Sequence, residues 1–328
     1  MNKRLAILCA LAIGVGCGGG TSSNDAGNGG DDTGGGGNDA GADNDAACVA
    51  GDGGVPTYPA LAVPTGDTLD LSCRGHATVP AGGAATMGTL TVHELLSAST
   101  PITSTNIDIW TNDMIGTGAC AAPNCMTEMT DAMNGVTPIF SAPLGAWLAF
   151  HMQTSSATAE VLAYNMPWNP TMGTMTTDGV AMSTIGTTSA LLGRTYSTTL
   201  GAISGQVSDC MGNALANAEA RVYMGTTRIM SGPSCDRMSP RITGIEVPTP
   251  TRNTLTGPAG QFVGADVPPA DNYRVEIWGM QPGMSAAQLI GCEEGRVVAG
   301  GITILSIGPL RSDYAAGSGC AMAAAANP

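Results

Sequence analysis

The chain has 328 residues, enough for two domains of ordinary size, and 43% of them are hydrophobic, enough to fill real cores. Aromatic residues are only 4% and charged residues 12%, with Gly, Thr, Ser and Ala in their place, which argues against a helical bundle and suits short strands with many turns. A formal net charge of −14 argues against binding to a nucleic-acid backbone, which needs a basic stripe.

The charge is uneven. From Cys48 to about Ala190 there are ten acids and one arginine, Arg74, whereas from Arg194 onward ten acids face nine arginines. We read the acidity as a solubility device.

At the N-terminus, Lys3 and Arg4 precede an apolar run from Leu5 to Ile13, and Gly14-Val15-Gly16 leads to Cys17. The run is too short to span a bilayer and reads as a secretory signal, residues 1–16. With Cys17 after a small residue, the segment resembles a bacterial lipoprotein signal, although Gly14 stands where that family usually has Leu. The resemblance implies that Cys17 is acylated and becomes the mature N-terminus. Gly18, in place of Asp, implies the outer membrane or cell surface; ordinary cleavage would instead leave a periplasmic or secreted protein.

Residues 17–47 follow as a linker. Between Gly18 and Ala47 there are eleven Gly, six Asp and four Asn, with no Val, Leu, Ile or aromatic residue. Such a stretch has nothing to bury against its ordering entropy, so a flexible tether is expected, spanning roughly 30 Å by random-coil scaling. Its acids lack the spacing of a calcium loop.

Eight cysteines remain: Cys48, Cys73, Cys120, Cys125, Cys210, Cys235, Cys292 and Cys320. An even number in an exported chain reads as disulfides. If each half closes its own bonds, the sequential pairing is Cys48–Cys73, Cys120–Cys125, Cys210–Cys235 and Cys292–Cys320. No C-x-x-C pair suggests zinc.

A first module is expected over 48–170, a connector over 171–200 and a second module over 201–328. In the second, Ile203–Val207, Ala218–Tyr223, Gln261–Val263 and Asn272–Trp278 alternate as strands, with turns at Gly212 and Thr256–Gly260. Tyr273, Val275 and Ile277 would face a core, and Arg274 and Glu276 would face water. Gly205-x-Val207, Gly212, Ala218-x-Ala220-x-Val222, Thr256, Gly260-x-Phe262, Val267-Pro268 and Tyr273-x-Val275 resemble the carboxypeptidase regulatory-like, or transthyretin-like, domain over roughly residues 201–310. Gly257 stands where that family carries Asp. The resemblance implies a seven-stranded Greek-key sandwich and an accessory, non-catalytic role.

The first half repeats the pattern. Thr89–Val92 and Asn106–Trp110 correspond to the first strands, Thr130-Asp131 through Gly135 to the turn, and Pro143–Phe150 to the strand after it. Turns about 125 residues apart imply an internal duplication, hence an all-β chain of two tandem Greek-key sandwiches. Thr187–Thr195 reads as a short helical connector.

Little chemistry stands out. His76, His93 and His151 belong to no H-E-x-x-H, no G-x-S-x-G elbow occurs, and Glu293-Glu294 read as a solvated turn. Met126, Met129 and Met133 could offer soft sulfur, but methionine also fills gaps in a chain poor in Phe. Trp168, in Asn165-Met166-Pro167-Trp168-Asn169-Pro170, is the candidate ligand contact, with a plug between domains as the competing reading. The sequence therefore suggests a non-enzymatic envelope lipoprotein without a cofactor, held by its lipid to a membrane. It would serve another envelope protein, a polysaccharide or a peptide. A carbohydrate-binding adhesin and an envelope enzyme with an unrecognised site are the rivals.

Overall fold

The computed structural model describes residues 58–327 except 77–83, 96, 112–114, 117, 154, 156–157, 171–172, 192–194, 229–240, 243–244 and 249–254. The expectations for the signal, the linker, Cys17, Cys48 and Cys235 lie outside the described residues.

In the first half the strands are β1 (Ala85–Glu94), β2 (Ser97–Pro101), β3 (Asn106–Trp110), β4 (Cys125–Met129), β5 (Phe140–Pro143), β6 (Trp147–Met152), β7 (Val161–Pro167) and β8 (Thr174–Gly179). Helix α1 (Met182–Leu191) follows. The second half holds β9 (Gly201–Val207), β10 (Glu219–Met224), β11 (Thr227–Arg228), β12 (Arg241–Ile242), β13 (Ile245–Pro248), β14 (Gln261–Val267), β15 (Ala270–Gly279), β16 (Gln288–Val297), β17 (Ile302–Ile307) and helix α2 (Gly319–Ala326). The protein is an all-β sandwich structure, and every strand anticipated from alternation is present.

The duplication is visible strand by strand. In the first sandwich, β1 pairs antiparallel with β5 and parallel with β8, and this sheet faces a second one in which β4, β3, β6 and β7 follow in order. In the second, β9 pairs antiparallel with β14 and parallel with β17, and faces β11, β10, β15 and β16. The turns match at the level of single bonds. Val92 N–H donates to Gly135 O at 2.9 Å as Val207 N–H donates to Gly260 O at 2.7 Å. The Thr130 hydroxyl accepts from Thr105 N–H, and the Thr256 hydroxyl from Ala218 N–H, both at 3.0 Å. Gly135 and Gly260 share φ +67°, and a Cβ on either would lie within 2.7 Å of a backbone oxygen, so glycine is required at both turns. Asp131, the turn acid that only the first copy retains, accepts from the amides of Asn134 and Met133, which hold its carboxyl below the usual value.

The two sandwiches are fused. β7 pairs in parallel with β17, Val161–Tyr164 against Ile302–Leu305, so one seven-stranded sheet runs β14-β9-β17-β7-β6-β3-β4 through the molecule. Its two faces serve different cores. Ile107, Ile109, Phe150, Val161 and Ala163 pack under the β1 sheet, whereas Ala149, Leu162, Tyr164, Ile203 and Leu305 pack under the β10-β15-β16 sheet.

Three expectations need correction. The 171–200 connector holds β8, an integral strand of the first sandwich, so that module does not end at 170. Residues 58–76, assigned to the first module, pack on the second: Leu61 and Val63 lie in its core, and Leu61 N–H donates to Met280 O at 2.7 Å. That path brings Cys73 to Cys210, a bond across 137 residues, which replaces the expected Cys48–Cys73 and Cys210–Cys235 pairs. Cys120–Cys125 and Cys292–Cys320 form as expected.

A bond closing so long a loop restricts the unfolded chain strongly. Replacing Cys73 and Cys210 together by Ala is expected to cost about 2–5 kcal/mol in guanidinium unfolding. A non-reducing digest of the unaltered chain should yield the Cys73 and Cys210 peptides as one species.

Candidate functional site

The face of the central sheet under β10-β15-β16 continues past that cover onto β6, β3 and β4. At this step lies a cleft of about 290 Å³ lined by Asp108 and Trp110 of β3, His151 of β6, Leu162 of β7 and Arg296 of β16, with Glu160, Gly116, Gly118, Ala119 and Cys120 completing the wall. Antiparallel register sets Asp108 opposite His151 and Trp110 opposite Ala149.

His151 is bracketed by acids. Its Nδ1 lies 3.4 Å from Asp108 Oδ2 and its Nε2 2.9 Å from Glu160 Oε1. Asp108 is buried and also accepts from the Thr127 hydroxyl at 2.6 Å and from Gln153 Nε2 at 3.4 Å. Both ring nitrogens are therefore engaged, which suits an orienting role better than that of an open base or ligand. Arg296 is held from two sides: its Nε donates to Asp271 at 2.6 Å and its Nη1 to Gly116 O at 3.0 Å. Trp110 Nε1 is a buried donor without an acceptor among the described residues. Below Arg296, the Tyr164 hydroxyl accepts from Arg296 N–H, and burial pushes this phenol up to about 12.

The matching face of the second sandwich is filled by its own side chains. Register sets Arg221 opposite Glu276 and Tyr223 opposite Arg274. The Arg274 guanidinium lies 4.5 Å from the Tyr223 ring centroid with its Nε 2.9 Å from Glu276, and Arg221 lies 4.3 Å from the Trp278 ring centroid. Glu219 binds Arg221 at 2.7 Å and Arg228 at 2.8 Å and accepts from the Tyr58 hydroxyl; burial, then Glu219, raises the Tyr58 phenol. The side of β15 expected to face water is thus a packed ladder of guanidinium, ring and carboxylate, with Glu276 only 4% exposed.

The residues singled out from sequence fare differently. Trp168 is fully buried in the first core, its ring 4.6 Å from that of Phe140 and its Nε1 donating to Thr86 O at 3.2 Å. The candidate ligand contact is therefore corrected to a core residue of the first sandwich, not a plug between domains, and with it goes the exposed ring on which the adhesin reading stood. The histidines are dispersed: His76 sits beside Arg311, His93 lies on β1 opposite Pro101, and only His151 enters the cleft. No group of three or more His, Cys, Asp or Glu among the described residues is placed to hold a metal ion. Met129 and Met133 are exposed, and Met126 is half-buried against the first core. Glu293-Glu294 are not a solvated turn. They lie on β16, where Glu293 is buried and Glu294 accepts from the first amides of α2, Gly319 and Cys320. Asp108, Glu160 and Arg296 were missed, since only strand register brings them together.

No protein-family model matches this chain. No curated protein matches it either. Solved structures with a detectable likeness include the shaft pilin SpaA of Lactobacillus rhamnosus GG, with 11% identity over 69% of this chain and 98% of that one at a TM-score of 0.21. A streptococcal ancillary pilin shares 9% identity over 69% of each chain at 0.22. The minor pilin GBS52 of Streptococcus agalactiae shares 10% over 70% of this chain and 98% of that one at 0.21. Superposition this loose transfers no role.

Two measurements check this account. Trp168→Ala is expected to destabilise the chain by about 3–5 kcal/mol, as for a large buried ring. Tyr164 and Tyr314, both pushed by burial from 10.0 to about 12, are neutral in the fold. Their contribution to stability is whole below pH 10 and is lost as pH rises through about 12. Absorbance at 295 nm should show two phenols ionising late, and Tyr164→Phe should flatten the loss of stability above pH 10.

Proposed function

We propose that this is an exported, non-enzymatic envelope protein, carried by a lipid on Cys17 at the outer membrane or cell surface, whose double sandwich is a rigid platform for binding or scaffolding. The observation that carries the reading is the sulfur-stapled fusion: Cys73–Cys210, Cys120–Cys125 and Cys292–Cys320 close three separate regions of one continuous body. Bonds of this kind persist in oxidising compartments, which fits the secretory signal. Among the described residues no helix is long and apolar enough to cross a membrane. The attachment that the sequence itself suggests is the lipid on Cys17. A Gly- and Asp-rich tether would hold the platform clear of the lipid surface.

Expression of the full chain in a diderm bacterium, followed by mass spectrometry of the mature N-terminus, tests the anchor. The expected product begins at an acylated Cys17 and partitions with membranes, and Cys17→Ala moves it to the soluble fraction. A mature N-terminus elsewhere, carrying no acyl chain, would overturn the anchor.

A further inference from the structure

We propose that the outer edge of β4 takes up an extended segment of a partner protein as an added antiparallel strand, with a lysine of that segment opposite Glu128. This goes beyond the envelope role and does not depend on the lipid, since an unanchored chain would carry the same edge.

The register of β4 leaves half of its backbone unspent. Thr111 N–H donates to Asn124 O and Thr130 N–H to Thr105 O, so the residues of β4 that bond to β3 are Met126, opposite Ile109, and Glu128, opposite Ile107. The amides and carbonyls of Thr127 and Met129 point the other way, off the end of the seven-stranded sheet, and have no hydrogen-bond partner among the described residues. Both residues are exposed, Met129 to 54%. Such a row of open groups is a template for another strand. Other edges of the molecule are blunted. β14 shifts register between Gly264 and Val267, with Asp266 at φ +55°, β5 runs into Pro143, and the segment from Leu310 to α2 covers β16. β4 has no proline, no lysine and no shift of register.

The charge of the edge selects the occupant. A two-fold pairing with a second copy through Thr127 and Met129 sets Glu128 opposite its own counterpart, and like charges directly opposite are destabilising. A two-fold pairing centred on Thr127 sets Met129 against Cys125, whose N–H already donates to Ala121 O at 3.1 Å, so the turn before β4 stands where the incoming strand would run. A cation opposite Glu128 removes the first obstacle, and a segment that stops short of Cys125 avoids the second. The first sandwich holds no such cation of its own: between Arg74 and Arg194 the chain has seven acids and no Lys or Arg. Asp131, exposed at the end of β4, adds to the negative charge beside the edge. The exposed Met129 side chain offers an apolar contact to the residue paired with it, so the segment that fits reads apolar, lysine, apolar.

The test uses the isotope-labelled full chain and end-capped peptides built on Thr-Val-Lys-Val-Thr, whose valines favour an extended backbone. In the proposed complex the two valines pair with Thr127 and Met129, and the lysine lies opposite Glu128. The Thr127 and Met129 amide resonances should shift saturably and exchange their protons more slowly, with a dissociation constant on the order of millimolar for so short a strand. N-methylation of both valines, which removes the N–H groups aimed at β4, should abolish the response. N-methylation of the lysine, whose N–H points away, should leave it. A peptide with glutamate in place of lysine should bind about tenfold more weakly, and Glu128→Lys should reverse that preference. Met129→Pro removes an outward N–H that β3 does not use and should abolish binding. Thermal unfolding of both variants would establish that the fold is intact. Binding that ignores valine N-methylation, equal binding of the lysine and glutamate peptides, no response of Thr127 and Met129, or a dimer in sedimentation that Met129→Pro dissolves would overturn the proposal.

Discussion

The parallel pairing of β7 with β17 is the constraint on which the other features depend. It joins the outer strand of one sandwich to the outer strand of the next, over Val161–Tyr164 and Ile302–Leu305, and Asn165 Nδ2 extends the seam by donating to Ser306 O. Once joined, both strands lie inside a sheet with layers on each face, so their side chains serve two cores at once. Val161 and Ala163 belong to the first core, Leu162 and Tyr164 to the second. Each apolar side chain buried in this way contributes about 1.5–3 kcal/mol before entropy is counted, and neither sandwich would keep that burial alone. The tandem modules read from the sequence are therefore one continuous body. Residues 58–76 strengthen the joint by crossing to the second sandwich and closing Cys73 onto Cys210.

The duplicated parts are those that set the fold, and the parts that differ are the outer faces of the two sandwiches. The turn bonds, the left-handed residues Ser104 and Asn217 and the glycines Gly135 and Gly260 recur in both copies, because a strand cannot return to its sheet without them. The outer faces share only their register. One carries a closed ladder of arginines, rings and glutamates, and the other an acid-lined cleft with an aromatic floor. A fold can hold its backbone fixed while its exposed strand positions drift, since substitutions there leave the cores untouched.

What could be read from the amino-acid order follows from this arrangement. β1, β3, β9, β10 and β15 each have one apolar face, so they alternate, and the alternation announces them. β7 does not alternate: five of its seven residues are buried in succession, and Val161-Leu162-Ala163-Tyr164 gives no sign of a face. β8, Thr174–Gly179, carries one large apolar residue, Met175, and reads as loop. Without those two strands the seam and the true end of the first sandwich were hidden. The partners expected for Cys73 and Cys210 were wrong for the same reason, because counting by halves assumes that the chain before Cys73 stays with its neighbours. The cleft was harder still. Asp108, His151 and Glu160 meet only after β3 and β6 are set in register, and Arg296 arrives from the other sandwich.

The second sandwich has an edge that corresponds to the one used at the seam. β16 occupies in the second sandwich the position of β7 in the first, so its outer edge is where a third module would pair. That edge is covered by the segment from Leu310 to α2. Leu310 N–H donates to Ile290 O at 2.7 Å, the Tyr314 hydroxyl donates to Cys292 O at 2.9 Å, and Leu310 and Cys320 join Leu289 and Cys292 in a small core of their own. Cys292–Cys320 fixes α2 to the strand, and Glu294 caps its first turn. An outer edge with open amides invites association with other strands, and covering it with a stapled helix is a direct way to close it. Glu294 and the Cys292–Cys320 bond then have one common effect: they hold α2 and the segment before it over the outer edge of β16.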